Sequence, residues 1–357
     1  MIWKQEFRKL TCHPMLWSML CVFLVFNGFL LWVNIGDYVS EMQMVHNEIL
    51  NNGINPEYYE GSLSRYDTLD MEDVKEMKQE MYRYYPAGSF KEFIDTRYEK
   101  LNERVEEIVA SSEHEGSVYP GEVYRLHKKL YVNVLRWVFL EMGLLVVFAV
   151  LFIMDYERIQ GTVAITYASN VGRKVQCIKW CVGILTGIAV GGILLALTLG
   201  AWFLLIPYEE FWDISMSAAL LTEPRGILMY PFITFHKMTI AQYLGATILV
   251  GVFLVVVIGL ITGIMQICIN NSYLSFVGIV LMLLSGLYIW GFSTATWFDI
   301  VLSWNPTVLW YTMGNYFMEG NLASNFDGAE IISLSVQGVS CFVMGRFAYN
   351  KFLKRDC

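Results

Sequence analysis

Apolar residues in this chain run in long blocks rather than in alternation. Six blocks stand out, at about 14–35, 132–154, 177–206, 239–269, 274–293 and 331–350. Each is near the ~20 residues that a helix needs to cross a bilayer. Short alternating segments of the kind that build a β-barrel do not occur. The third and fourth blocks exceed the requirement, which predicts tilt or continuation past the hydrocarbon. The sixth is the most polar, with Ser333, Ser335, Gln337 and Ser340 along it. The first follows a basic start, as in a signal peptide, but it is too long and no small-x-small cleavage site follows. The pattern predicts an all-α polytopic membrane protein with six transmembrane helices.

The stretches between the blocks are patterned too. In residues 1–13, Ile2, Trp3, Phe7 and Leu10 can share a helical face, with Lys4, Arg8 and Lys9 opposite or flanking it. This predicts an interfacial amphipathic helix, or a plain basic anchor, before Pro14 turns the chain into the first span (14–35). Residues 36–130 form a separate region with charges alternating along helical stretches at about 71–84 and 90–111. Ser89-Phe-Lys-Glu92 is a capping-box pattern for the second stretch. Asn52-Gly53 and Pro56 end a helix continuing out of the first span. Tyr58, Tyr59, Tyr66, Tyr82, Tyr84, Tyr85, Phe90, Phe93 and Tyr98 are candidates for the region's own aromatic core, while His46, His114 and His127 read as surface residues. The remaining chain, 131–357, holds five spans. Near 155–174 a polar, helix-compatible segment separates two of them. Near 294–330, Trp297, Phe298, Ile300 and Trp304 lead to Asn305-Pro306 and then Val308, Leu309 and Trp310. That stretch is too apolar for a solvated loop and predicts a re-entrant hairpin broken at Asn-Pro, its freed backbone buried or wet. The stretch 207–238, with Trp212 and Tyr230, also reads as interfacial.

Composition agrees: 55% of residues are hydrophobic and 16% charged, against about 25% charged in soluble proteins. Basic residues sit at alternate loop ends. Lys4, Arg8 and Lys9, then Arg158, Arg173, Lys174 and Lys179, then Arg346, Lys351, Lys354 and Arg355 all fall on one side of a six-span chain. The positive-inside rule makes that side cytoplasmic, with both termini there. Because the basic residues follow the span ends rather than forming a patch, nucleic acid is excluded as a partner. Residues 36–130 hold 20 acidic against 11 basic side chains, while the rest of the chain is nearly neutral. The acidity of this outer region suits capture of cationic ligands or a well-solvated surface.

Candidate chemistry is sparse. None of the seven cysteines lies in a predicted external segment, so no disulfide staples the outer region. Cys177 and Cys181, four apart, lack the companions of a metal site. The phosphate loop, the zinc-protease helix, the nucleophile elbow and the kinase signatures are all missing, which leaves no catalytic set. Arg136 and Glu141 lie in the second span, Arg136 near the boundary within snorkelling reach. Glu141 is deeper, where a carboxylate either lines a path or bonds a neighbouring helix. Gly183, Gly187 and Gly191, and again Gly259 and Gly263, form flat stripes for close helix packing.

The order of an amphipathic N-terminus, six spans, a polar helix between spans two and three and an apolar hairpin between spans five and six resembles the ABC-2 type permeases. These are the membrane half of type V ABC exporters. Locally, Glu157, Gly161-Thr162, Ser169, Gly172-Arg173-Lys174 and Lys179 are similar to that family's pattern in the first cytoplasmic loop. The resemblance implies a coupling helix near 157–170, with Ile165 on it, seated in a groove of a separate ATPase. Gly161 would allow close approach, Thr162 would bond backbone or cap, and Arg173 and Lys174 would anchor the following span at the phosphate level. It further implies two copies of an ABC ATPase subunit carrying ATP and magnesium, none bound by this chain. A second permease, the same or paralogous, a lipid surround and a bacterial plasma membrane are implied as well. The long outer region resembles the permeases of peptide-antibiotic resistance, lantibiotic immunity and sodium or lipid export. Glu141, Arg136, Asn305 and Pro306 are then candidates for a substrate path. Two other classes stay open: a membrane sensor whose acidic outer region binds a ligand, and a secondary transporter, which would need paired charges or broken helices at the midplane.

Overall fold

The computed structural model describes residues 2–52, 66–67, 69, 88–114, 126–168, 172–206, 208, 211–219, 233–291, 297–319 and 326–354, with the backbone alone at 41–52, 290 and 299. The expected helix at 71–84 lies outside the described residues, as do Tyr58, Tyr59, Tyr82, Tyr84, Tyr85, Ser169 and Tyr230 and the side chain of His46. Among the described residues the protein is all-helical, its only β contacts being the isolated bridges Ser215–Thr239 and Thr234–Met318.

Helix α1 (Ile2–Thr11) precedes α2 (Pro14–Asn52), and α3 (Ser89–Ala110) belongs to the acidic region. A π-helical stretch at Lys128–Leu135 runs directly into α4 (Arg136–Ile159). Short α5 (Val163–Ala168) leads through a 3-10 turn at Gly172–Lys174 into α6 (Val175–Leu205). Then come α7 (Met216–Ala219), α8 (Ile240–Ile269), α9 (Ser272–Trp290), α10 (Trp297–Ser303), α11 (Pro306–Tyr311) and α12 (Ala329–Leu353). Six of these, α2, α4 with its π-helical start, α6, α8, α9 and α12, are long and apolar enough to cross a membrane.

The bundle is built around α4, of whose most apolar window 72% is buried, against 11% for α9 and 22% for α2. The glycine stripe explains its closest contact. A Cβ on Gly187 would lie 2.6 Å from the Val146 Cα, and one on Gly183 would lie 2.8 Å from the Val150 Cα. Helices α4 and α6 therefore touch backbone to backbone, a spacing that larger residues forbid. The second stripe faces the same core. The Trp180 ring lies over Gly263, and its indole nitrogen donates to the Gly259 carbonyl at 3.0 Å.

Both termini meet at one end of the bundle, here the terminal end. There Arg173 donates to the carbonyls of Phe352 and Leu353 near the end of α12, and Lys9 of α1 reaches Glu157 of α4. The acidic region gathers at the opposite end, the cap end, and there the structure corrects three expectations. Among the described residues of 36–130, the buried apolar side chains do not cluster alone. Tyr66, Tyr98, Leu101, Val105 and Ile108 share their cluster with Ile233 and Phe235 of the segment between α6 and α8. Helix α3 is capped by Gly88 with no side-chain cap, because Ser89 Oγ instead accepts from Trp297 Nε1 at 3.1 Å. His114 and His127 are buried, His114 against the Tyr66 ring and His127 among Tyr131 and Tyr243.

Candidate functional site: the polar hub at the terminal end

Helix α4 emerges from the apolar core with Asp155-Tyr156-Glu157-Arg158 in its last turns, and each of the four reaches another element. Glu157 accepts from Lys9 Nζ of α1 at 2.8 Å and pairs through its other oxygen with Lys179 of α6. Lys9 also holds Glu6 at 2.7 Å and lies 5.0 Å over the Tyr156 ring. Asp155 accepts from Ser272 Oγ of α9 at 3.0 Å and pairs with Arg158 at 3.1 Å. Arg158 in turn donates to the carbonyl and the side chain of Asn270, the left-handed cap of α8. With Arg173 on α12, residues 155–174 are thereby tied to α1, α6, α8, α9 and α12. Lys179 is only 1% exposed. A buried ammonium is tolerated only when paired, so Glu157 is the counter-charge that lets Lys179 exist inside the bundle.

The chain then turns sharply. Gly161 N–H donates to the Arg158 carbonyl at 3.1 Å and Thr162 N–H to the Glu157 carbonyl at 2.8 Å, with Gly161 at φ 69°. This is a Schellman ending, which needs a left-handed residue and so favours glycine. The space around Gly161 is open: a Cβ there would meet nothing within 4 Å. Within this chain its role is conformational. Gly172, which opens the 3-10 turn, is also left-handed, at φ 52°.

Between the two glycines stands α5, shorter than expected. Residues 157–159 belong to α4, because the turn at Gly161 ends that helix first. No residue of α5 is buried, and Ile165 is 73% exposed beside exposed Ala164 and Ala168. The outward side is thus small and apolar rather than polar. Thr166 and Tyr167 turn inward to a small cavity that Arg158, Gln176 and Lys179 also line. Thr162 bonds backbone, as its position allows. Arg173 is half-buried and donates to the end of α12, while Lys174 is exposed.

The other candidates lie elsewhere. Glu141 stands sixteen residues before Glu157, about 24 Å along α4. It is buried and accepts from Asn27 of α2 at 2.8 Å, so it bonds a neighbouring helix. One turn set further on, Asn133 donates to Asn34 of α2 at 2.8 Å. Asn27 and Asn34 are seven apart, on one face of α2. Arg136 is half-buried, donates to the Met313 carbonyl at 3.3 Å and lies 5.0 Å over the Tyr311 ring. Asn305 caps α11 through Thr307 N–H at 2.8 Å and sits against Gly286 of α9, with Pro306 in the first helical position. The helix break at Asn305-Pro306 is therefore present, and its backbone is satisfied by protein.

Sequence reasoning missed two features. Glu6 is buried in the hub, a position signalled only by its i, i+3 spacing from Lys9. The π-helical entry to α4 has no residue signature, although such irregular turns cluster at functional sites. Among the described residues no group of three or more His, Cys, Asp or Glu is placed to hold a metal ion. No protein-family model, curated protein or solved structure matches the chain.

Proposed function

We propose that this chain is the membrane-spanning permease subunit of an ATP-driven ABC exporter, with α5 as the element that docks a separate ATPase subunit. One observation carries the reading. Residues 155–174 are roped by charged side chains to five other helices, yet α5 itself leaves Ala164, Ile165 and Ala168 exposed. A surface hold on α5 would be felt at once by every span to which the hub is tied. Rigid-body displacement of packed helices is an established way to convert such a hold into a change of access. In this reading both termini are cytoplasmic in a bacterial plasma membrane. Two ATPase subunits bind ATP and magnesium, and two permease chains face each other. An amphipathic peptide or lipid-like substrate passes outward near the Asn27–Glu141 contact and the α10–α11 hairpin. The hairpin enters the outer leaflet, and the acidic cap faces outside.

The test is co-purification from native membranes with Ala164→Glu and Ile165→Glu together. These positions are exposed, so the chain keeps its fold. The expected result is an ATPase that accompanies the wild-type chain and is lost from the variant. A chain that carries no ATPase in either form refutes the proposal and moves attention to ligands of the acidic cap.

A further inference from the structure

Helix α1 presents three rows of side chains, each pair four residues apart and therefore stacked on one face. Glu6 and Leu10 point inward and are buried. Trp3 and Phe7, half exposed at 49% and 48%, form the next row, and exposed Lys4 and Arg8 the row after it. The outward arc thus runs from aromatic to basic without a carboxylate. Such an arc fits the boundary between acyl chains and anionic headgroups, where aromatic rings enter the interface and cations meet phosphate. A second observation fixes the depth. Trp17, at the start of α2, is 42% exposed and its Nε1 donates to the Thr11 carbonyl, an indole placed as in an interfacial aromatic belt. The inward side of the same helix carries Lys9, bonded to Glu157 in the hub.

We infer that α1 is a sensor of anionic lipid whose seating on the membrane surface is relayed through Lys9 and Glu157 to residues 155–168. Anionic headgroups hold Lys4 and Arg8, which keeps α1 in the position where Lys9 meets Glu157. Each basic residue near such a surface strengthens attachment by about fivefold. On a neutral surface α1 loses that hold, and the lysine contact orders the segment before α5 less well. The consequence for transport rests on the proposed function. The lipid response does not, since it requires no ATPase.

The experiment is hydrogen exchange of the full chain in nanodiscs of phosphatidylcholine alone or mixed with phosphatidylglycerol. Peptides covering 2–11 and 155–168 are compared for wild type, for Lys4→Gln with Arg8→Gln, and for Lys9→Gln. In wild type, anionic lipid should slow exchange severalfold in both segments. The double variant should behave in anionic discs as wild type does in neutral ones. Lys9→Gln should keep the response in 2–11 and lose it in 155–168. Equal wild-type exchange in the two lipids, or a double variant that still responds, overturns the sensor. A Lys9→Gln chain whose 155–168 segment still follows the lipid overturns the relay. An ATPase that fails to co-purify would leave all of these results unchanged.

Discussion

The two ends of the bundle both bury charge, but they do so differently. At the terminal end one carboxylate, Glu157, is shared by two lysines from distant helices, and its neighbours in sequence extend the network. At the cap end one guanidinium, Arg104, does the gathering. It donates to the Thr234 carbonyl at 3.0 Å and to Glu113 at 2.8 Å, and Glu113 accepts from Ser215 and Ser217 as well. Arg97, on the same helix as Arg104, approaches Glu319 at 3.8 Å. The Glu157 centre of the hub is built of two long, flexible lysines around a helix end, while Arg158 and Arg173 tie its flanks to α8 and α12. The cap is built of planar arginines held by short hydroxyl side chains and backbone. Arg forks fix direction as well as charge, whereas an ammonium follows its partner. The Glu157–lysine centre can therefore shift while staying paired, and the cap either holds its geometry or opens.

The largest effect tests that contrast directly. Glu157→Gln leaves buried Lys179 without its direct partner and should lower stability by about 3–5 kcal/mol, read from thermal unfolding in detergent. Adding Lys179→Met should recover most of the loss. No recovery would mean that Glu157 acts through something other than that pair. Arg104→Met strands Glu113 in the cap and should cost about 2–4 kcal/mol locally. Faster proteolysis within 88–114, with the spans still packed, is the expected pattern. Equal loosening of both ends would erase the distinction drawn above.

Acid should separate the ends next. Burial acts to raise the Glu113 carboxyl, but the Arg104 guanidinium and the two serine hydroxyls overcome it and hold it below its ordinary value. Its contribution is present above the unfolded value of 4.5 and is lost as pH falls through the lower folded value. His127 works over a higher window. Burial lowers it from 6.5 to about 4, against the opposing pull of the Gly314 carbonyl at 2.7 Å, to which it must donate. The unfolded chain takes up its proton first, so stability should fall by roughly 3 kcal/mol between pH 6.5 and about 4. His127→Gln should flatten that window in a pH series of unfolding temperatures. An unchanged slope would show that another group sets it.

The smallest effect lies midway between the ends. Asn27→Leu removes one hydrogen bond to Glu141 and should cost only about 1 kcal/mol, in line with polar contacts between membrane helices. A loss as large as that of Glu157→Gln would place a third organising centre inside the bundle.

The contrast also explains what could be read from the residues alone. Six spanning helices follow from runs of apolar side chains, a local property. The interruption at 155–174 was visible because charge, two glycines and an arginine-lysine pair fall within twenty residues. The hub's partners were not visible, because Lys9 and Glu157 are 148 positions apart and nothing marks one for the other. The cap was harder still. It joins α3 to hydroxyl residues at 215, 217 and 234, ordinary in any loop, so its region read as self-sufficient. A signal did exist in Tyr98, Leu101, Val105 and Ile108, whose helical spacing defines a face needing a partner, with Arg97 and Arg104 beside it. The burial of His114 and His127 had no such signal, since each depends on segments that meet only in the fold.

The backbone contact between α4 and α6 has a mechanical consequence. Val146 and Val150 lie where side chains at Gly187 and Gly183 would otherwise stand, so neither helix can slide or roll without lifting off the other. The pair behaves as one stiff beam, and the loop bearing α5 joins its two members at a single end. A force applied there cannot be absorbed by shear between them. It must tilt the beam as a whole, with the largest travel at the far end, where the π-helical entry of α4 meets the cap.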